Sequence, residues 1–204
     1  MKQYFETKKK YPDTILMFRL GDFYEMFFDD AVTASRELEL VLTGRACGQE
    51  ERAPMCGVPF HSADSYMARL VAKGYKVAIC EQMEDPALAK GLVKREVVRV
   101  LTPGTVIENS MLNEGRNNFL ASVYFTGESA GVCFIDVSTG SVNLTELAAP
   151  ALPDKIINEI GRFMPSEIVF NSASSSLTKV FSFISNKTEA LAQELGDNYF
   201  DPQS

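Results

Sequence analysis

The two halves of the chain differ in charge, and the change falls at a turn signal. Residues 1–102 contain 15 basic and 15 acidic side chains, whereas residues 103–204 contain 5 basic and 12 acidic ones, so the net charge of −7 belongs to the second half. The change coincides with Thr102-Pro103-Gly104-Thr105, where a Pro-Gly pair is typical of a turn. This asymmetry indicates two small units with different partners rather than one large domain.

The composition is typical of a globular cytoplasmic protein. Hydrophobic residues make up 46% of the 204, and the longest apolar runs are far too short to cross a bilayer. The N-terminus carries basic residues but no apolar segment of a signal peptide. With a single histidine and no Cys-x-x-Cys pair, we expect reduced, mostly buried thiols rather than zinc ligands or disulfides. These thiols belong to Cys47, Cys56, Cys80 and Cys133.

Hydrophobic periodicity predicts an α/β fold in both halves. The elements predicted in the first half are a helix over 2–10, strands over 14–20, 76–80 and 93–101, a helix capped at Asp29-Asp30 that runs through Leu38 to Val41 or Leu42, a loop-rich segment over 43–59, and a helix capped by Ser62 or Asp64. The elements predicted in the second half are an antiparallel meander over 119–125, 131–137 and 141–147, a helix ending before Pro165, a strand over 167–170, and a weakly patterned tail.

The sequence lacks the common motifs of catalysis. It contains no G-x-x-x-x-G-K-[ST] phosphate loop, no G-x-G-x-x-G motif and no nucleophile elbow. The carboxylates of Asp22, Asp29 and Asp30 could hold a divalent cation, but a turn and a helix cap explain them more simply. A chain that is acidic overall also does not look like a nucleic-acid binder, because such domains are usually basic.

One short segment has an unusual pattern of aromatic and acidic residues. In an extended Gly21-Asp-Phe-Tyr-Glu-Met-Phe27 segment, alternate side chains share a face, so Phe23 and Glu25 lie together while Tyr24 and Met26 point towards the core. On the pattern alone, a buried Phe23 beside a solvated Glu25 is the simpler interpretation.

The same segment resembles the Phe-x-Glu motif of the MutS mismatch-recognition family. The similarity continues in the family's order through 53–61, 77–82 and 94–105, and more loosely through 130–147. It implies a mixed-sheet α/β mismatch-recognition domain over residues 1–102, a linker over 103–117, and a ribonuclease H-like α/β connector domain over 118–204. Because the sequence shows no pattern for the later helices of that connector, we expect a truncated connector.

The resemblance also implies how DNA is bound. Phe23 is expected to wedge into a mispaired step from the minor groove, where Glu25 hydrogen-bonds the stacked base. The remaining positions implied to lie close to DNA are Arg45, Met55 and its neighbour Pro54, Lys94, Arg95 and, more loosely, Arg99. His61 is expected to have a structural hydrogen-bonding role.

Several expectations about partners and chemistry follow from the resemblance. The fragment is expected not to be an enzyme, since ATP and magnesium belong to the family's C-terminal ATPase domain. Its partners are expected to be duplex DNA with mismatches or small loops, and MutL through the connector, with a homodimeric full-length protein and a monomeric fragment. Two alternatives remain: an acidic scaffold that docks repair proteins, and a metal-dependent nuclease built on Asp136, which we expect to be inactive because the other acids of a metal cluster are not evident.

Overall fold

The structure is a computed structural model that describes residues 1–46, 52–84, 91–113 and 115–201. The chain divides into two compact units, one formed by Met1–Thr102 and the other from Pro103 onwards. Each unit contains its own mixed sheet and its own helices. The mixed α/β fold expected for both halves is therefore confirmed.

The first unit is built around a six-stranded sheet with the order β3-β4-β2-β1-β5-β6. Its elements are α1 (Lys2–Lys10), β1 (Ile15–Leu20), β2 (Phe23–Phe27), α2 (Phe28–Leu38), β3 (Thr43–Arg45), β4 (Ala53–Pro59), α3 (Ala63–Ala72), β5 (Val77–Gln82) and β6 (Arg95–Leu101). Only the β1–β5 pair is parallel, and β2 is antiparallel to both β1 and β4. This order places β2 in the interior of the sheet.

Helices cover the two faces of this sheet differently. Tyr4 of α1 packs on Leu16, Phe18 and Phe27, which lie on one face. Because side chains alternate along a strand, Met26 lies on the opposite face, against which α2 and α3 pack. A single nine-residue helix leaves part of the first face uncovered, and the early residues of β2 lie there.

Three predictions for the first unit were wrong. The segment 43–59 contains two strands, β3 and β4. Its prolines are tolerated because neither has to donate an N–H to β2: Pro59 is the last residue of β4, and Pro54 lies beyond the residues paired with β2. Helix α2 ends at Leu38, and both Val41 and Leu42 are exposed. No side-chain hydrogen bond caps α2 or α3, so the proposed cap residues do not act as caps.

The second unit is built around a five-stranded sheet with the order β11-β10-β7-β8-β9. Its elements are β7 (Phe119–Phe125), β8 (Ser129–Asp136), β9 (Ser141–Ala148), α4 (Leu152–Phe163), β10 (Glu167–Phe170), α5 (Thr178–Lys187) and β11 (Leu191–Glu194). Strands β7, β8 and β9 form the predicted antiparallel meander, and β10 pairs in parallel with β7 and β11. This is the mixed sheet expected of the connector.

Helices α4 and α5 pack on the same face of this second sheet. Ile156 and Ile160 of α4 join Val180 and Ile184 of α5 in one core with the inward side chains of β7, β8 and β10. The tail beyond β10 was predicted to be weakly patterned, but it forms both α5 and β11. The two buried residues of α5, Val180 and Ile184, are four residues apart and form the narrow apolar stripe of a short helix.

The segment predicted as a linker begins on the second unit. The Nδ2 amide of Asn118 donates to the carbonyl of Pro103 at 2.8 Å, and the N–H of Gly104 donates to the carboxylate of Glu167 at 3.0 Å. A Cβ atom at position 104 would lie 2.8 Å from Glu167 Cβ, so the backbone approaches β10 more closely than any side chain would allow.

The described cysteines have no disulfide. Cys56 and Cys80 are buried, and burial raises the pKa of Cys56 to about 11 and that of Cys80 to about 12, which keeps both thiols protonated and unreactive. Cys133 is half-buried, and Cys47 lies outside the described residues.

No helix within the described ranges combines the length and the apolar character needed to cross a membrane.

Candidate functional site

Phe23 and Glu25 lie side by side on the partly uncovered face of the first sheet. Phe23 is 46% exposed, whereas Tyr24 and Met26, on the opposite face, are 6% and 0% exposed. The alternation expected of an extended segment is therefore present. An aromatic ring this exposed in an interior strand is unusual, since sheet faces normally bury such rings.

The tight turn before Phe23 is fixed by hydrogen bonds from both sides. Gly21 adopts φ +61°, a left-handed conformation that favours glycine. The N–H of Gly21 donates to Gln82 Oε1 at 3.0 Å, and its carbonyl accepts from Arg19 Nε at 2.5 Å. The carbonyl of Asp22 accepts from the N–H of Phe60 at 2.9 Å. Phe23 thus follows a turn whose backbone is held at three points.

Glu25 forms an ion pair with Arg45 across the sheet. The Arg45 side chain is 44% exposed and that of Glu25 is 17% exposed, so the pair lies at the surface. Gly57 is the β4 residue opposite Glu25, and a Cβ atom there would lie 3.5 Å from Glu25 Cγ. The missing side chain leaves the β4 side of Glu25 open.

Met55 lies on β4 opposite Phe27, at the margin of the α1 core. Its backbone carbonyl accepts a hydrogen bond from Thr43 Oγ1 at 3.0 Å, which fixes the short edge strand β3 beside it. The structure therefore brings four of the predicted site residues into one region of the first sheet: Phe23, Glu25, Arg45 and Met55.

Lys94 and Arg95 lie at the edge of the sheet formed by β6, which is the edge opposite β3. Lys94 is exposed and forms a 2.6 Å ion pair with Glu96, whose carboxylate raises the pKa of the lysine. Strands β1 and β5 separate these residues from β2. They therefore flank the region around Phe23 and are not part of it.

The Arg95 side chain is half-buried and bound within the protein. Its guanidinium donates to the carbonyl of Arg19 at 2.7 Å, the carbonyl of Val93 at 2.9 Å, Gln3 Oε1 at 3.3 Å and, in a longer contact, Gln82 Oε1 at 3.4 Å. Burial lowers the pKa of Arg95 from its usual value. This arrangement links α1, β1, β5 and β6, and a phosphate contact by Arg95 stays a prediction.

A second cluster behind the turn was not found from the sequence. The Arg19 guanidinium lies 3.8 Å from the centroid of the Phe60 ring and 3.6 Å from the Glu81 carboxylate. Tyr24 donates its hydroxyl to the same carboxylate, and burial followed by this hydrogen bond raises the pKa of Tyr24 to about 12. Both residues lie at motifs noted in the sequence, since Arg19 adjoins the Gly21–Phe27 segment and Glu81 lies in the 77–82 motif. Their contact could not be predicted because it joins residues that are far apart in the chain.

His61 lacks the role predicted for it, and Asp30 binds α1 and β1 instead of capping α2. His61 is exposed and makes an edge contact with the Phe60 ring, and within the described part of the chain its imidazole has no hydrogen bond, so the structural bonding role is not supported. Asp30 is buried and accepts from Lys8 Nζ at 2.8 Å and from the N–H of Leu16 at 3.1 Å. No group of acids suited to a metal ion occurs among the described residues.

Asp136 is bound by five donors in the second unit. The carboxylate is 1% exposed and accepts from Ser138 Oγ at 2.6 Å, the N–H of Ser138 at 2.9 Å and Asn117 Nδ2 at 2.9 Å, with 3.3 Å contacts from the N–H groups of Asn118 and Thr139. Burial acts to raise the pKa of Asp136, but these hydrogen bonds outweigh it and leave the pKa below its usual value. Both oxygens therefore have a structural role.

The fold and site define a protein of two mixed α/β units, with an exposed aromatic ring beside a half-buried acid on the first. Residues 1–110 match the family model described as MutS domain I, and residues 118–200 match that of MutS domain II. The chain therefore belongs to the MutS family, and the resemblance seen in the sequence is confirmed.

Close relatives carry the same family name. The DNA mismatch repair protein MutS of Ruminiclostridium cellulolyticum is 54% identical over 201 residues, which are 98% of this chain and 23% of that protein. Those of Acetivibrio thermocellus and Clostridioides difficile are each 53% identical, over 100% and 98% of this chain and over 23% and 21% of their own lengths. The chain thus spans less than a quarter of the curated relatives it matches.

Proposed function

We propose that the chain recognises mispaired or unpaired bases in duplex DNA during mismatch repair. The observation that carries the proposal is the exposed Phe23, two residues before an acid on the same sheet face, in a member of the MutS family. Stacking on a base would cover the ring, and aromatic–base stacking is favourable by about 1–3 kcal/mol. Phe23 is accordingly the residue that enters the step from the minor groove.

Discrimination follows from the deformability of DNA rather than from the identity of a base. Inserting an apolar wedge unstacks a base step at a cost of a few kcal/mol and kinks the duplex. A mispaired step has already lost pairing energy, so it opens and bends more easily than a paired step. One wedge can therefore serve many kinds of mismatch.

Glu25 supplies specificity and Arg45 supplies affinity. A carboxylate close to phosphates is repelled, and only an unpaired base edge offers a hydrogen bond in return. In the free chain Arg45 offsets this charge. When Glu25 contacts a base, the partly exposed guanidinium of Arg45 can turn towards a phosphate, where it forms a charge-assisted contact without reading sequence.

The remaining activities are proposed to lie outside these two units. We assign ATP and magnesium binding, and the homodimer contact, to the remainder of a full-length MutS protein. The chain itself is proposed to be a cytoplasmic, non-catalytic monomer that binds DNA weakly, because one module with few phosphate contacts lacks the gain of a dimeric clamp.

The test of this function is substitution of Phe23 with a matched aromatic control. Phe23→Ala, in a full-length MutS protein carrying this chain, should lower the ratio of heteroduplex to homoduplex affinity by about tenfold or more, which is the loss of one stacking contact. Phe5, on α1, is 47% exposed and serves as the control, since Phe5→Ala removes an equally exposed ring. Fluorescence anisotropy measures both affinities. A ratio unchanged in Phe23→Ala, or lowered equally by Phe5→Ala, would contradict the proposal.

A second function, docking of MutL or another repair protein, is favoured by the edge of the second sheet. Strand β9 is an edge strand on which Val142 is 58% and Leu144 is 78% exposed, within an acidic unit. Exposed edge strands accept partner strands, and negative charge suits a basic partner. Leu144→Lys should weaken MutL capture and leave the heteroduplex preference intact. If Leu144→Lys captures MutL as well as the unmodified protein does, MutL docks at a surface other than β9.

A further inference from the structure

We propose that Gln82 and Arg95 are positioning residues that hold Phe23 at the angle needed to enter DNA. This inference rests on the proposed function of Phe23, and it assigns Arg95 to the protein interior instead of to a phosphate. Two observations support it: the hydrogen bond that joins Gln82 to the turn before Phe23, and the four hydrogen bonds of the Arg95 guanidinium.

The first step links Gln82 to the turn. Gln82 ends β5, and its Oε1 accepts the N–H of Gly21, a residue 61 positions earlier in the chain. Gly21 holds a left-handed φ, so this N–H points out of the β-ladder and needs an acceptor from elsewhere. Because Phe23 is only two residues further on, a shift of the turn also shifts the aromatic ring.

The second step links Arg95 to the same turn. Arg95 and Gln82 are partners in the β5–β6 register, so their side chains share a face. Arg95 contacts the Gln82 oxygen from one side and, at 2.7 Å, donates to the carbonyl of Arg19, which is paired with Tyr24. The guanidinium therefore fixes both Gln82 and the end of β1 that leads into the turn.

The third step concerns the place of Phe23 in the sheet. Leu20 is paired with Phe23, and along the parallel β1–β5 pair it lies two residues beyond Phe18, just as Gln82 lies two residues beyond Cys80. Arg95, Gln82, Leu20 and Phe23 consequently share one face of the sheet. A wedge that stacks only in a narrow range of angles benefits from a rigid support of this kind.

The donors of Arg95 are nearly all in use. A guanidinium has five N–H donors, and four of those of Arg95 already have protein acceptors. Its carbon also lies 5.4 Å from the centroid of the buried Phe18 ring. Turning this group towards a phosphate would break several of these contacts at once. The side chain of Lys94 is 68% exposed and is paired with Glu96 at the surface, where a phosphate can replace this partner at little cost.

The experiment measures affinity for heteroduplex and homoduplex DNA at several salt concentrations in a full-length MutS protein carrying this chain. Gln82→Met keeps the side-chain length but removes the acceptor, Gln82→Glu keeps the acceptor, and Arg95→Met keeps the apolar stem but removes the donors. Lys94→Met is the charge-matched control beside the network. We expect Gln82→Met and Arg95→Met to lower the heteroduplex-to-homoduplex ratio by about three- to tenfold.

Three further results are expected. Gln82→Glu should keep the ratio within about twofold of the unmodified protein because its oxygen still accepts from Gly21. Arg95→Met should leave homoduplex affinity and the slope of log affinity against log salt unchanged, whereas loss of a phosphate contact would lower that slope by about 0.9. In Gln82→Met, the Gly21 amide should exchange its hydrogen faster than in Gln82→Glu.

The opposite results would overturn the proposal. If the heteroduplex-to-homoduplex ratio is unchanged in Gln82→Met but lowered in Phe23→Ala, the turn needs no support from Gln82. A lower salt slope in Arg95→Met makes Arg95 a phosphate contact, and an equal fall of the ratio in Lys94→Met makes the effect one of charge. If Phe23→Ala itself keeps the ratio, the proposed function fails and the inference fails with it.

Discussion

Glu25 in the first unit and Asp136 in the second are both acids on strands of mixed sheets, but their surroundings differ. Within the described ranges the Glu25 carboxylate is paired with Arg45 alone, whose side chain is 44% exposed. Asp136 is 1% exposed and is bound by five neutral donors, two of them from Ser138. Glu25 thus has one partner at the surface, whereas both carboxylate oxygens of Asp136 are buried and hydrogen-bonded.

The difference shows which acid is available to a ligand. A base or a phosphate can replace one partner of a surface ion pair at little cost, because exposed ion pairs contribute only about 0–1 kcal/mol. Replacing the donors of Asp136 would leave several buried N–H groups without acceptors. The position of an acid on a strand therefore says little about function until its partners are known, and of these two acids Glu25 is the one whose partner a ligand can replace at little cost.

The largest expected effect comes from removing the buried acid. Asp136→Ala leaves up to five donors without an acceptor and should lower the free energy of unfolding of the second unit by about 2–4 kcal/mol. Hydrogen-exchange mass spectrometry of the whole chain would show faster exchange across β7 and β8 and no change in the first unit. Equal protection in the variant would show that Asp136 does not stabilise the fold.

The contribution of Asp136 should also depend on pH. Its pKa is lower in the folded chain than in the unfolded one, so the stabilisation is fully present above the unfolded value of about 3.9, declines below it, and is lost as the pH falls through the lower folded pKa. The difference in unfolding free energy between the unmodified chain and Asp136→Asn, measured by denaturant titration, should therefore be largest near neutral pH and shrink below about pH 4. A difference that grows in acid would reverse the assigned direction.

A smaller effect, on DNA binding and not on folding, is expected at the half-buried Glu25. Glu25→Ala removes a carboxylate that repels phosphates, so homoduplex affinity should rise by a few-fold, about 1 kcal/mol, while heteroduplex affinity changes less. The ratio of the two affinities then narrows. Titration at low and high salt measures both, and the rise should shrink as salt is added. Weaker homoduplex binding by Glu25→Ala would contradict the repulsion argument.

Much of the fold could be predicted because the pattern of apolar residues is local. Helix α1 and strands β1, β5 and β6 were close to their observed bounds, and so was the meander of the second unit. Strand β4 could not be seen because Pro54, Gly57 and Pro59 resemble loop residues, and only the registers with β2 and β3 explain why they are tolerated. Helix α5 was hidden because only two of its ten residues are buried.

The candidate site was only partly predictable for the same reason. That Phe23 and Glu25 share a face follows from alternation along one strand, which is a local property, whereas the pattern alone favoured a buried Phe23 and the ring is 46% exposed. The role of Arg95 depends on acceptors from α1, β1 and β5, and that of Asp30 depends on Lys8 and the backbone of β1. Hydrogen bonds between residues far apart in the chain leave no periodic trace in the sequence.

The most direct test of the central claim is photocrosslinking from a mispaired base. A heteroduplex with 5-iodouracil at the mispaired position is irradiated with a full-length MutS protein carrying this chain, and the crosslinked residue is identified by mass spectrometry. Stacking of Phe23 on that base predicts a crosslink at Phe23 that is much weaker when the same 5-iodouracil is paired with adenine. Crosslinks confined to the second unit, or equal at Phe23 for both duplexes, would contradict the assignment of Phe23 as the residue that reads the mismatch.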